Sequence, residues 1–175
     1  KRQHSIKSAF PTGENINHID SNVNAELVWV GLGSEADFMN KDIKGKAVVI
    51  YSFFVPGGRS HSASNRAKLF NANEIASDRG AALIINIMGV PGDVHFAGGA
   101  FHGTSGKPAS SYGAPIITIS QDEGFLLRDR MLKEKIFVEF NLKIDVLNNL
   151  KTTYMIAKLD GLSEEEIFIG AHTDG

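Results

Sequence analysis

Three runs in a fixed order constrain this chain more than any other feature. Residues 46–54 read Lys-Ala-Val-Val-Ile-Tyr-Ser-Phe-Phe, an apolar stretch continuous enough to be a strand buried on both faces. Residues 65–79 follow with the spacing of an amphipathic helix, Leu69, Ala72 and Ala76 on one face with Ile75 beside them, and Arg66, Lys68 and Asp78 elsewhere. Gly80 is placed to stop that helix as a C′ glycine. Residues 81–87, Ala-Ala-Leu-Ile-Ile-Asn-Ile, then form a second β-rich run. Strand, helix, strand at this spacing predicts a crossover onto a parallel pair, and therefore an α/β fold with a buried sheet.

The remaining text attaches to that unit. Residues 1–22 are polar, carry Pro11 and Gly13, and show no period of two or 3.6, so they read as an irregular N-terminal arm. A short strand is expected at residues 26–30. Residues 89–114 hold seven glycines and two prolines, which predicts a long excursion with at most short strands. Residues 115–119 form the next strand. Ser120 followed by Glu123 is a capping-box pattern opening a helix over about 121–135. Residues 136–146 alternate, with Phe137, Glu139 and Asn141 on one side and Val138, Phe140 and Leu142 on the other, as a strand with one wetter face does. Two last strands, 153–159 and 166–171, are expected to pair as a hairpin.

Composition narrows the function classes. The 175 residues are 42% hydrophobic and 22% charged, the profile of a folded domain. Such a chain can bury roughly 70% of its unfolded surface and needs no metal or disulfide to fold. Its 18 basic residues are dispersed and the net charge is −2, which argues against a nucleic-acid partner. There is no cysteine, so thiolate metal sites are excluded. The most apolar stretch, 81–90, is interrupted by Asn86 and Gly89 and falls short of the roughly 20 residues of a membrane helix. No apolar segment follows Lys1-Arg2-Gln3-His4, so a signal peptide is expected to have been removed or never present in this sequence.

Several residues could carry chemistry. His172-Thr173-Asp174 follows an apolar run, which places it at a strand's carboxyl end, where open α/β sheets keep their ligands. A zinc-ligating histidine usually hands its second ring N–H to a carboxylate, and Asp174 is spaced to accept it. On spacing alone the pair reads more simply as a hydrogen-bonded surface turn. Gly31-x-Gly33-x-x-Ala36 fits a dinucleotide-binding pattern, but 37–45 cannot supply the helix it needs. Gly57-Gly58-Arg59-Ser60 resembles an anion loop without the lysine of a P-loop. His95 and His102 could share a metal only if their loop folds back, and His61 with Ser62 or Ser64 lacks a nucleophile elbow.

Read together, Ala157-Lys158-Leu159-Asp160-Gly161 and Glu164 through Gly175, ending Gly170-Ala171-His172-Thr173-Asp174-Gly175, resemble the opening of the catalytic domain of co-catalytic zinc exopeptidases, the aminopeptidase and glutamate carboxypeptidase family. Upstream, Gly31 to Asp37, Asp42 to Ile50, Ala76 to Ile85 and Ala114 to Ser120 look like successive blocks of a protease-associated (PA) domain. The resemblance implies a PA-type swivelling β/β/α domain over 23–148 after the arm at 1–22. It further implies the start of an incomplete zinc peptidase domain over 149–175, opened by the hairpin. It makes His172 the first zinc ligand and Asp174 the carboxylate that orients it, with the other ligands beyond Gly175.

The expectation is a parent zinc metallopeptidase that trims peptides, secreted or held in the cell envelope, its PA domain aiding substrate access. No catalytic residue is assigned within these 175 residues, which are expected to be inactive alone and to bind zinc weakly or not at all. The alternative is a non-catalytic module that binds a peptide or protein. Oligomeric state is left open.

Overall fold

A computed structural model describes residues 4–11, 18–51, 72–94 and 112–145, together with 147, 149, 151, 153–159 and 167–171. The elements are β1 (Phe10–Pro11), β2 (Asp20–Trp29), α1 (Glu35–Phe38), β3 (Ala47–Tyr51), α2 (Ala72–Asp78), β4 (Leu83–Ile87), β5 (Ile116–Ile119), α3 (Gln121–Met131) and β6 (Phe137–Lys143). They build a six-stranded sheet in the order β1-β5-β4-β3-β2-β6. Strands β2 to β5 run parallel, and β1 and β6 close the two edges antiparallel.

The predicted crossover is present: β3 and β4 pair in parallel, Val48 opposite Ile84 and Ile50 opposite Asn86. Of the helix expected over 65–79, Ala72–Asp78 lies within the described residues. It ends as predicted, with Gly80 at φ 77°. The Ala81 amide donates to the Ala76 carbonyl at 3.0 Å and the Gly80 amide to that of Ser77 at 2.9 Å, both bonds of a Schellman motif.

Alternation along the strands divides the core in two. One face carries Val48, Ile50, Ile84 and Ile116 under Ala72 and Ala76 of α2. The other carries Ala47, Val49, Leu83, Ile85, Ile87, Ile117 and Ile119 under Leu127 of α3. Both faces of β3, β4 and β5 are therefore buried, which is why these strands read as nearly continuous apolar runs. β2 serves two partners: 27–29 pair with β3 and 20–26 with β6. The sheet curls through it into a two-stranded ribbon. β6 alternates as expected, Phe137, Glu139 and Asn141 exposed and Leu142 buried.

Two expectations need correction. The stretch read as an irregular arm contributes β1, which pairs with Ile117 and Thr118, and the first three residues of β2. A two-residue strand is too short to show a period, and the outward face of β2, Asp20, Asn22 and Asn24, disguises its alternation. The hairpin predicted over 153–159 and 166–171 does not form among the described residues: 153–159 and 167–171 carry no strand and lie exposed. Their β-rich side chains have no neighbouring ladder to pack on, and an isolated two-stranded hairpin is marginal in water.

Candidate functional site

In a parallel sheet the strand carboxyl ends are the place to look for a site. Here they bring together Tyr51 at the end of β3, Asn86 near the end of β4, and the start of α3 directly after β5. Gln121 Nε2 donates to the Tyr51 hydroxyl at 3.1 Å. The Tyr51 and Phe125 rings lie 5.4 Å apart, tilted by 41°. The Arg128 guanidinium stands 4.4 Å from the centre of the Phe125 ring and donates to Asp129 Oδ1 at 2.7 and 2.9 Å. These side chains form an aromatic and cationic rim in which each group is engaged with its neighbour.

The N-terminus of α3 is occupied by the chain itself. Ser120 Oγ accepts from the Glu123 amide at 3.4 Å, as the capping pattern predicts. The reciprocal half is different: Glu123 accepts from the Lys7 and Ser8 amides at 3.0 and 2.8 Å and from the Ser8 hydroxyl at 2.5 Å. Ser8 Oγ, in turn, accepts from the Ser120 amide at 2.9 Å, replacing the carboxylate in the box. Burial would raise the Glu123 pKa, but the Ser8 hydroxyl, the Lys7 and Ser8 amides and the nearby His4 outweigh it and lower the value below the ordinary 4.5. No local signal in the sequence marks Ser8, because its partners lie 112 and 115 residues away.

The rejected dinucleotide pattern now has a physical explanation. Gly31 and Gly33 adopt φ 58° and 78°, but the helix after them is the single turn Glu35–Phe38. Its N-terminus is filled by Asp37, whose carboxylate accepts from the Ser34 amide at 3.0 Å and the Ser34 hydroxyl at 2.7 Å. A Cβ on Gly33 would sit 2.3 Å from Ala72 Cβ, so this glycine admits the start of α2 and not a pyrophosphate.

The metal site expected at His172 with Asp174 lies outside the described residues, as do Gly57 to Ser64, His95 and His102. Ala171, just before His172, is exposed and outside any strand. Among the described residues no three His, Asp or Glu side chains are grouped to hold a metal ion. Nor is any described helix long and apolar enough to cross a membrane.

No family model and no curated protein matches the sequence. Solved structures do. An aminopeptidase from Aneurinibacillus sp. strain AM-1 aligns at 27% identity and TM-score 0.49 over 71% of this chain and 26% of its own. A zinc aminopeptidase from Bacillus subtilis aligns at 22% and 0.43 over 75% and 26%. A peptidase M28 precursor from Shewanella amazonensis aligns at 16% and 0.56 over 82% and 32%. The last shares this chain's fold. The chain spans about a quarter to a third of the length of these proteins.

Proposed function

We propose that this chain is the leading part of a zinc-dependent exopeptidase of the aminopeptidase type, its sheet forming a PA domain that helps peptide substrates reach the active site. The observation that carries the reading is the ordered block from Ala157 through Ala171-His172-Thr173-Asp174, in which an apolar run delivers a histidine and a carboxylate two residues on. The fold shared with a peptidase precursor supports it.

In this reading His172 is one zinc ligand and Asp174 fixes its ring through the second nitrogen. A catalytic zinc takes three protein ligands, so the others come from elsewhere in the longer protein. Bound zinc would supply a Lewis acid and an activated water. The described residues would contribute to binding and positioning: the Tyr51, Gln121 and Phe125 rim would offer aromatic surface and an amide to a peptide, while the Arg128 cation is paired with Asp129. Secretion or attachment to the cell envelope belongs to the same proposal. The second reading is a peptide- or protein-binding module without catalysis.

The test is hydrolysis of peptides with free and acetylated amino termini by the longer protein, before and after chelation and zinc return. Zinc-restorable trimming, lost by at least about 100-fold in His172→Ala, is expected for a ligand of a catalytic metal. Peptide binding without hydrolysis would select the module; hydrolysis indifferent to chelator and to His172→Ala would sink the zinc assignment.

A further inference from the structure

The core contains a polar anomaly that the peptidase reading does not use. Asn86 lies in β4, an inner strand of the parallel set, and is fully buried, and Asn73, in the first turn of α2, is 3% exposed. Among the described residues, Asn86 Oδ1, Asn86 Nδ2 and Asn73 Oδ1 have no hydrogen-bond partner. Buried side-chain polar atoms are almost always paired, and an orphan loses its hydration without return.

The register places these residues on one side of the sheet. Asn86 stands between Ile50 of β3 and Thr118 of β5. By alternation its side chain shares the face of Ile84 and Ile116, the face covered by α2. The helix starts directly over this row: Ala72, adjacent to Asn73, packs against Gly33, which also meets the Ile50 side chain. The turn of α2 that carries Asn73 and the β4 residue Asn86 thus lie at the same end of this layer, near the strand carboxyl ends.

Their atoms define what would satisfy them. A cation suits the two oxygens but is repelled by the Asn86 amide hydrogens. An anion suits the amide but meets two carbonyl oxygens. A neutral molecule that both donates and accepts fits all three, and burial among isoleucine and alanine side chains limits its size. We infer that Asn73 and Asn86 hold one internal water, which donates to the two Oδ1 atoms and accepts from Asn86 Nδ2. Three such bonds are the ordinary complement of a buried water, roughly three. This water joins the start of α2 to an inner strand of the sheet, so it belongs to the scaffold that carries the rim.

The experiment uses the whole chain in solution. In the unsubstituted protein the Asn86 side-chain amide protons should show cross-relaxation with a water that stays bound longer than the molecule takes to tumble. Thr118→Val should leave that signal in place, which separates bound water from exchange through the neighbouring hydroxyl. Oxygen-17 relaxation dispersion should lose one long-lived water per molecule in Asn86→Leu and in Asn73→Leu. Asn86→Leu should lower the melting temperature, and Asn73→Leu added to it should recover part of the loss, because the stranded Asn73 oxygen is removed. No water contact at Asn86 in the unsubstituted protein overturns the inference even if Asn86→Leu fails to fold. So does an Asn86→Leu variant that melts higher with an unchanged count of bound waters.

Discussion

Gly124→Ala sets two well-defined effects against each other. In the interior of a helix alanine is better than glycine by about 0.5–1 kcal/mol, because glycine loses more backbone freedom on folding. On that ground alone the substitution would stabilise α3. The packing opposes it: a Cβ at position 124 would stand 2.4, 2.6 and 2.8 Å from Cγ2, Cγ1 and Cδ1 of Ile87. Carbon pairs settle at about 3.5–4.0 Å, so roughly 1 Å is missing. Ile87 is fully buried in β4 and branched at Cβ, and rotating one γ carbon away brings another in. The helix must move, at an overpacking cost of about 1–3 kcal/mol. Packing wins, by about 1–2 kcal/mol net, a fall of about 2–8 °C in melting temperature for a domain of this size. Ile87→Ala deletes all three contacted carbons; in that background Gly124→Ala should be neutral or stabilising by up to about 1 kcal/mol. Thermal and urea unfolding of the four proteins in the cycle measure this. A higher melting point for Gly124→Ala alone, or an equal cost in both backgrounds, would refute the close packing of α3 on β4.

Three further outcomes follow from the same geometry. Ser8→Ala should cost about 2 kcal/mol, because it strands the Ser120 amide in a fully buried residue and removes a donor from Glu123; urea unfolding and hydrogen exchange at Ser120 report it. Glu123 has a lowered pKa in the folded chain, so its stabilising contribution is complete above its ordinary value near 4.5 and is lost as the pH falls through the lower folded value. Glu123→Gln should remove this part of the acid sensitivity of unfolding while weakening protection at Ser8. Gly33→Ala should destabilise by about 3 kcal/mol, since φ 78° is strained for alanine and its Cβ meets Ala72 at 2.3 Å; circular-dichroism melting that finds no loss would show that α2 does not seat there.

How much of this could be read in the sequence depends on where each interaction is encoded. The parallel core was legible because β3, β4 and β5 are buried on both sides, and continuous Val and Ile runs are the local trace of that burial. The stop of α2 was legible because a Schellman end needs one glycine in one place, Gly80. β6 was legible from alternation. The capping box was half legible: Ser120 acts locally, but Glu123 turns to a segment more than a hundred residues away. The arm's docking was invisible for the same reason, since Ser8 carries no pattern of its own. Asn86 was noticed only as an interruption of an apolar run, and its consequence depends on the register that sets it between Ile50 and Thr118.

The carboxyl-terminal stretch shows the limit from the other direction. Tyr154, Met155, Ile156 and Leu159, then Ile167, Phe168 and Ile169, have the composition of strands and are all at least 80% exposed. Strand preference mostly measures packing against a neighbour, so such a sequence declares a need for a partner and does not supply it. Side chains of this size scattered singly on a surface would be ordinary, but seven of them within sixteen residues on two unpaired segments are not. The proposed peptidase accounts for them: the remaining strands of its catalytic domain would cover both segments and hold His172 at a strand end. Exchange protection at Ile167 to Ile169 in the longer protein should then match that at Leu83 to Ile85, and both should lose it only on global unfolding. Rapid exchange at Ile167 to Ile169 there would mean that no sheet forms on this stretch, and the placement of His172 at a strand's carboxyl end would fall with it.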